Sequence, residues 1–352
     1  MYLWRWKPQR VADITAEVTC LKHMVQGNFN LVTKGKVLEL VKRGHIKLNK
    51  LNAKLKVVRN NNLQKRRRYL GIFFLVPALV ISLLVIGYPL LQMLNLSFRE
   101  YNLMRPTTLG KFIGITNFVR AFTNYKFRNS LGTTLIFTFL VTILGYIIGL
   151  FSALLLNSLK KVKGFFTVSI CLPWAIPGAI AAYIFLQLFQ SPGGIITYWI
   201  SIIGLDVSWI TQKLPSLFLV VIVATWKSYP FVTMGLLAGL QTIPNEIYEA
   251  ASIDGASNFR KLFSITLPAL KPITTVLLIL NGTWAFKNFE IIWILTGGGP
   301  ARFTQTLGID LYNKAFVNFN FGYASSIGVI MLIISLFIIF LYMRLMMKES
   351  FY

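Results

Sequence analysis

An all-α membrane protein with six transmembrane helices is the fold class this sequence predicts, and three observations predict it. Of 352 residues, 55% are hydrophobic and only 13% charged, whereas a soluble globular domain carries nearer a quarter charged residues. Six apolar runs, at about 71–97, 129–157, 165–190, 215–241, 269–295 and 325–347, are each long enough to cross a hydrocarbon core of about 30 Å as a helix. The charge is also segregated. Residues 1–69 hold 17 Lys and Arg against 3 Asp and Glu, more than half of the chain's net +25. Ahead of a first membrane span, such a cluster is a topology signal and an anionic-lipid contact, which accounts for the basicity better than nucleic-acid binding does.

The chain divides into a basic arm, 1–69, and a membrane domain, 70–352, with a hydrophilic loop at 242–268. Within the arm, Lys34–Val58 places apolar residues at 37, 38, 40, 41, 48, 51 and 55 among lysines. That pattern suits a basic amphipathic helix on the inner membrane surface, or a poorly ordered tail. Cys20 lies in the arm and Cys171 in an apolar run, so a disulfide framework is not expected. His23 and His45 have no second pair of ligands nearby, and no metal site is expected.

The first span carries Pro77, Gly87 and Pro89, which neighbouring helices make tolerable in a bilayer. It starts too late and runs too long for a cleavable signal peptide. Lys65-Arg66-Arg67-Arg68 holds its leading end in the cytoplasm, and Lys160, Lys161 and Lys163 mark the loop after span two as cytoplasmic. Arg344 and Lys348 do the same for the C-terminus, while the loop after span three has only Asp206 and Lys213. Residues 98–128 disagree, with six basic residues against Glu100. The larger cluster at the first span outweighs them, which puts both termini on the cytoplasmic side of a bacterial plasma membrane. The two halves show no sequence repeat, unlike many repeat-built secondary transporters.

The loop between spans four and five reads TIPNEIYEAASIDGASNFRKLFSITLP. Pro244 suits a first helical turn, and Glu246 there complements the helix dipole. A short helix over 245–253 then carries a small-residue patch at Ala250 and Ala251. Gly255 supplies a sharp break because it takes positive φ cheaply. A second helical run from Ser257 to about Ile265 presents Phe259, Leu262 and Phe263, and Pro268 is expected to end it at the membrane. The expected unit is a helical hairpin suited either to docking a partner or to lying on the membrane surface.

This stretch resembles the EAA loop of binding-protein-dependent ABC import permeases, whose pattern is EAA, three residues, G, nine residues, then I-x-L-P. The matching positions are Glu249, Ala250, Ala251, Gly255, Ile265, Leu267 and Pro268, with Asp254 beside the glycine. Other stretches resemble the carbohydrate-import branch, of maltose and multiple-sugar type: Gly114 to Phe118, Leu172-Pro173-Trp174 through Pro177, Trp226 through Glu249, Leu295 to Pro300, and Tyr312 to Phe316. The resemblance covers about 70–347 and leaves out the arm. It implies a permease subunit whose loop fits a cleft on a separate ATPase and works by alternating access. The chain has no GxxxxGK[ST] phosphate loop, so no cofactor is expected in it and ATP and Mg belong to the ATPase. The implied partners are a second homologous permease, two ATPase subunits, and an extracytoplasmic solute-binding protein received near 98–128 and 296–324. The implied cargo is a sugar or oligosaccharide.

In span five, Asn281, Trp284, Ala285 and Asn288 are spaced to share one helix face. Amides flanking an indole suit a sugar, whose hydroxyls need hydrogen bonds and whose ring face stacks on an aromatic. Such amides also simply bond neighbouring helices. The resemblance places Asn281, Trp284 and Asn288 in a sugar site, together with Lys227, Ser228 and Phe231 of span four. Lys227 is a departure from the maltose-type permease, where the position is apolar. An ionised lysine in mid-span costs about 2.5–3.5 kcal/mol, so it should face a cavity or a partner. Glu290 or an acidic group on the cargo would serve, and Lys287 and Glu290, three residues apart, are equally placed to satisfy each other. Three other readings remain: a solitary channel, for which no filter segment is visible; an ion-coupled secondary transporter, with Glu290 its one deeply placed acid; and an ABC importer of glycerol phosphate or another polar solute.

Overall fold

The computed structural model describes residues 69–159 and 161–349. The Lys34–Val58 segment, the Lys65–Arg68 cluster, Cys20 and both histidines therefore lie outside the described residues. The chain forms two compact units, divided between Pro89 and Leu90.

Helix α1, Tyr69–Ser97, runs through that division with a π turn at Leu83–Gly87. Its side chains Phe73, Phe74, Leu83 and Leu84 are exposed, as suits a helix facing hydrocarbon. A two-residue antiparallel pair follows, β1 Arg99–Glu100 with β2 Lys111–Phe112, and then α2, Thr116–Thr123. Helix α3, Tyr125–Ser158, has 34 residues, roughly 50 Å of helix against a core of about 30 Å. Asn124 caps it, its Oδ1 accepting from the Lys126 N–H at 2.9 Å.

The third apolar run is not one straight helix. It forms α4, Lys163–Ala175, and α5, Gly178–Phe189, bent by 92° at the break. Pro177 is the cause: the residue before a proline is pushed from helical to extended geometry, and Ile176 stands at φ −71°, ψ 132°. Beyond it come α6, Ile195–Ile202, α7, Lys213–Leu240, and α8, Asn245–Ile253. Helix α9 spans Asn258–Phe286, then α10, Glu290–Thr296, α11, Leu307–Tyr312, and α12, Phe321–Glu349. Among the described residues five helices are long and apolar enough to cross a membrane, and the bent pair makes a sixth if it is one span.

Two expectations need correction here. Pro268 does not end the second run of the hairpin. A π turn over Leu262–Thr266, closed by Leu267 N–H donating to the Leu262 carbonyl, widens the helix just ahead of the ring. The helix accommodates the proline and continues to Phe286. The fifth apolar run, expected to reach 295, instead ends at Phe286 and restarts at Glu290.

The core is built around α3 and α7. At the end carrying the α8–α9 hairpin, Ala153 and Leu156 of α3 pack with Val232, Leu236 and Leu240 of α7 and Leu270 and Leu277 of α9. At the far end, Phe137 and Val141 meet Leu219, Val220, Val223 and Ala224 of α7, Ala182 of α5 and Ile291, Ile292 and Leu295 of α10. A third cluster joins Ala121, Phe127, Phe286, Leu307 and Ile327. Close approach depends on two small-residue pairs at four-residue spacing, Gly145/Gly149 in α3 and Gly235/Gly239 in α7. A Cβ on Gly149 would lie 2.8 Å from Val232 Cγ1, and one on Gly235 2.5 Å from Leu277 Cδ2. Between apolar helices in lipid, association rests on such close packing because burial from water contributes nothing.

Candidate functional site

Three places in the membrane domain gather polar chemistry. The first is the hairpin. Helix α8 begins one residue after Pro244, which occupies the N-cap, and carries Glu246 in its first turn. Gly255 stands at φ +74°. Around it Asp254 N–H donates to the Ala250 carbonyl at 3.0 Å and Ala256 N–H to the Ala251 carbonyl at 2.9 Å. This satisfies the helix's last carbonyls through a left-handed glycine. Two contacts brace α8 against α9: Lys261 Nζ donates to Ser252 Oγ at 2.6 Å, and the Tyr248 and Thr266 hydroxyls meet at 3.0 Å. Glu249, Ala250, Asp254 and Pro268 are exposed, and Ala251, Ile265 and Leu267 half-buried. Ile253 is 88% exposed and Phe259 72%, a protruding apolar tip on a braced unit.

The second place lies between α3, α7 and α9. Asn281 is 1% exposed, and neither polar atom of its amide has a partner. Gly145 makes room for it: a Cβ there would be 2.9 Å from Asn281 Nδ2 and 3.5 Å from Ser228 Oγ. One turn along each helix, the Phe231 and Trp284 rings stand 4.7 Å apart, with Trp284 exposed. The fold thus assembles Ser228, Phe231, Asn281 and Trp284. The one-face expectation does not extend to Asn288, because α9 has ended at Phe286. Asn288 lies in the link to α10 with its Oδ1 unpartnered, while Ala285 is buried in the far-end core. Lys227 points to another element, donating to the carbonyls of Trp174 at 3.1 Å and Ile176 at 2.5 Å.

Sequence reasoning missed the third place, at the far end. Asp310 of α11 is 1% exposed, accepts from Gln305 Nε2 at 3.0 Å, and leaves Oδ2 without a partner. Burial pushes the Asp310 carboxyl above its ordinary range, against the opposing pull of Lys314, Arg302, the Gln305 hydrogen bond and Lys126. A raised carboxyl favours the fold most when protonated. Its contribution is full below the unfolded carboxylate range and is lost as pH rises through the folded value. In thermal melts of the solubilised protein, the wild type should gain on Asp310→Asn as pH falls from 7 to 4. A melting difference that is flat across that range would refute the burial account.

Comparison with known proteins gives these geometries a setting. Residues 145–348, more than half of the chain, match the family described as binding-protein-dependent transport system inner membrane component. The chain belongs to that family. This permease is 35% identical over 288 residues to the trehalose/maltose transport system permease protein of Thermococcus litoralis, covering 80% of the permease and 97% of the relative. It is 32% identical to the sulfoquinovosyl glycerol transport system permease protein of Agrobacterium fabrum, over 80% and 92% of the two chains. Among solved structures, the permease resembles a chain of a bacterial ABC transporter involved in the import of the acidic polysaccharide alginate. There the TM-score is 0.67 at 24% identity, over 80% of the permease and 99% of that chain. That likeness establishes a shared fold. The glycine pairs that seat α3, α7 and α9 also went unread, although their small-xxx-small spacing was a signal that could have found them, whereas nothing local marked Asp310 for burial.

Proposed function

We propose that this permease is the membrane-spanning subunit of an ATP-driven importer of sugars or oligosaccharides, coupled to separate ATPase subunits through the 245–268 hairpin. The observation that carries the proposal is the hairpin itself. It is internally braced, so it transmits displacement as a unit, and its tip exposes Ile253 and Phe259 beside the small residues Ala250 and Ala251. An exposed apolar projection of that kind marks a protein contact. With six crossings and the Lys65–Arg68 cluster before the first, the hairpin lies in the cytoplasm, as do both termini. ATP binding by two partner ATPases would then rock this chain against a second permease in alternating access, with an extracytoplasmic binding protein delivering cargo.

The cargo reading rests on relatives named for trehalose/maltose, sulfoquinovosyl glycerol and diacetylchitobiose, and on the site between α3, α7 and α9. There an unpartnered amide at Asn281 supplies hydrogen bonds, and the Trp284 and Phe231 rings supply an apolar face, the two things a pyranose requires. Relatives named for sn-glycerol-3-phosphate, at 32% identity, favour glycerol phosphate as the second reading.

The test is purification of the full chain from its native membrane in mild detergent, with the co-purifying proteins identified by mass spectrometry. An ATPase and a second permease are expected, and Glu249→Lys should lose the ATPase while remaining inserted. Recovery of the chain alone in good yield would refute the importer reading. Collapse of uptake on removing the ion gradient with ATP held constant would instead favour a secondary transporter.

A further inference from the structure

A helix broken in mid-membrane leaves carbonyls at one end and N–H groups at the other with no water to satisfy them. The break between α4 and α5 falls near the middle of the third apolar run, and two charged side chains converge on it from other helices. Lys227 of α7 reaches the closing end of α4, its ammonium donating to the Trp174 and Ile176 carbonyls. Glu290 reaches the opening end of α5. Its Oε2 lies 2.5 Å from where a Cβ on Gly178 would stand, and the absence of that Cβ lets the carboxylate settle on the first residue of the helix. The signs are the favourable ones, cation at the carbonyl end and anion at the N–H end. The two side chains also attract each other across the elbow.

We propose that Lys227 and Glu290 are positioning residues that hold the third span bent, each neutralising one of the two helix ends at the Ile176-Pro177 elbow. Lys227 is expensive in a bilayer, and this arrangement accounts for its presence with no cargo involved. It also separates Lys227 from Ser228 and Phe231, its neighbours on α7, which turn toward α9. The proposal needs only that these helices lie in a bilayer, so it stands or falls independently of cargo and partners.

The chain supplies its own reporter. Cys171 lies on α4 one turn before Trp174 and is half-buried. In the full chain carrying Cys20→Ser it is the remaining thiol. Its rate of alkylation by N-ethylmaleimide in intact membranes reports how firmly α4 is held. Lys227→Met and Glu290→Gln should each raise that rate about five- to thirty-fold, the shift expected from losing a well-placed charge at a helix end. Lys227→Arg, which keeps charge and donors, should return it to within about twofold of the parent. The exchange Lys227→Glu with Glu290→Lys should label faster than either single variant, because each charge then faces the wrong helix end.

Parental labelling in the exchanged protein would mean that the two residues only pair with each other, and the proposal would be overturned. Parental labelling in Lys227→Met would overturn it too, the more so if that variant took up neutral sugars in place of acidic ones, since Lys227 would then select cargo. Should the exchanged protein fail to insert, the contrast between Lys227→Met and Lys227→Arg decides, and equal rates count against the proposal.

Discussion

Gly149→Leu drives α3 away from α7 and destabilises the membrane domain by about 3 kcal/mol or more, the upper end for overpacking. A Cβ at this position would stand 2.8 Å from Val232 Cγ1, 2.9 Å from Val232 Cβ and 3.3 Å from the Thr233 backbone nitrogen. Valine is stiff at χ1 in a helix and the backbone cannot rotate away, so the helices must separate. Separation opens the packing of Val232 and Leu236 against Ala153, and in lipid no hydrophobic force recovers the loss. Gly132 is the control on the same helix, with no atom within 4 Å of its missing Cβ. Gly132→Ala should hold or raise the melting temperature, through a helix-propensity gain of about 0.5–1 kcal/mol. Thermal unfolding of the two solubilised variants should move in opposite directions. Equal melting would show that α3 and α7 do not approach as closely as described.

On the coupling proposed above, Gly255→Pro should release the ATPase subunits while leaving the permease inserted. At φ +74° a proline, locked near −65°, cannot be placed. It also removes the N–H that donates to the Ser252 carbonyl at 3.1 Å. The hairpin must reopen, at roughly 3 kcal/mol, a factor of over one hundred in the population able to dock. Nothing lies within 4 Å of the missing Cβ, so Gly255→Ala meets only backbone strain of about 1–2 kcal/mol, and asparagine less. ATPase retained on the purified permease should therefore fall in the order glycine, asparagine, alanine, proline. Retention unchanged in the proline variant would falsify the docking role of the hairpin.

The legible features share one property: they are local along the chain. Apolar runs announce crossings because a bilayer demands about twenty residues of one character. The turn at Gly255 was readable because a helix C-terminus selects glycine for its backbone alone. The α8 boundaries, Asn245–Ile253, followed from the same rules. Proline was harder to read. Pro268 and Pro177 both interrupt apolar helices, yet a π turn absorbs the first and a 92° bend follows the second. What differs is where the freed backbone groups find partners: within the same helix ahead of Pro268, through the π turn, and on α7 at the Pro177 bend, through Lys227.

Composition and periodicity alone thus determined that this chain is a membrane protein, how many apolar segments it carries, and where its hairpin turns. Tertiary structure decided which polar groups meet. Asn281 and Ser228 converge because Gly145 on a third helix leaves room for them. Lys227 turns to the Trp174 and Ile176 carbonyls, and Asp310 is buried with a hydrogen bond from Gln305. The physical reason is that crossing a bilayer is a requirement each segment meets by itself. Satisfying a buried charge or a freed carbonyl is a requirement met only by residues distant in sequence.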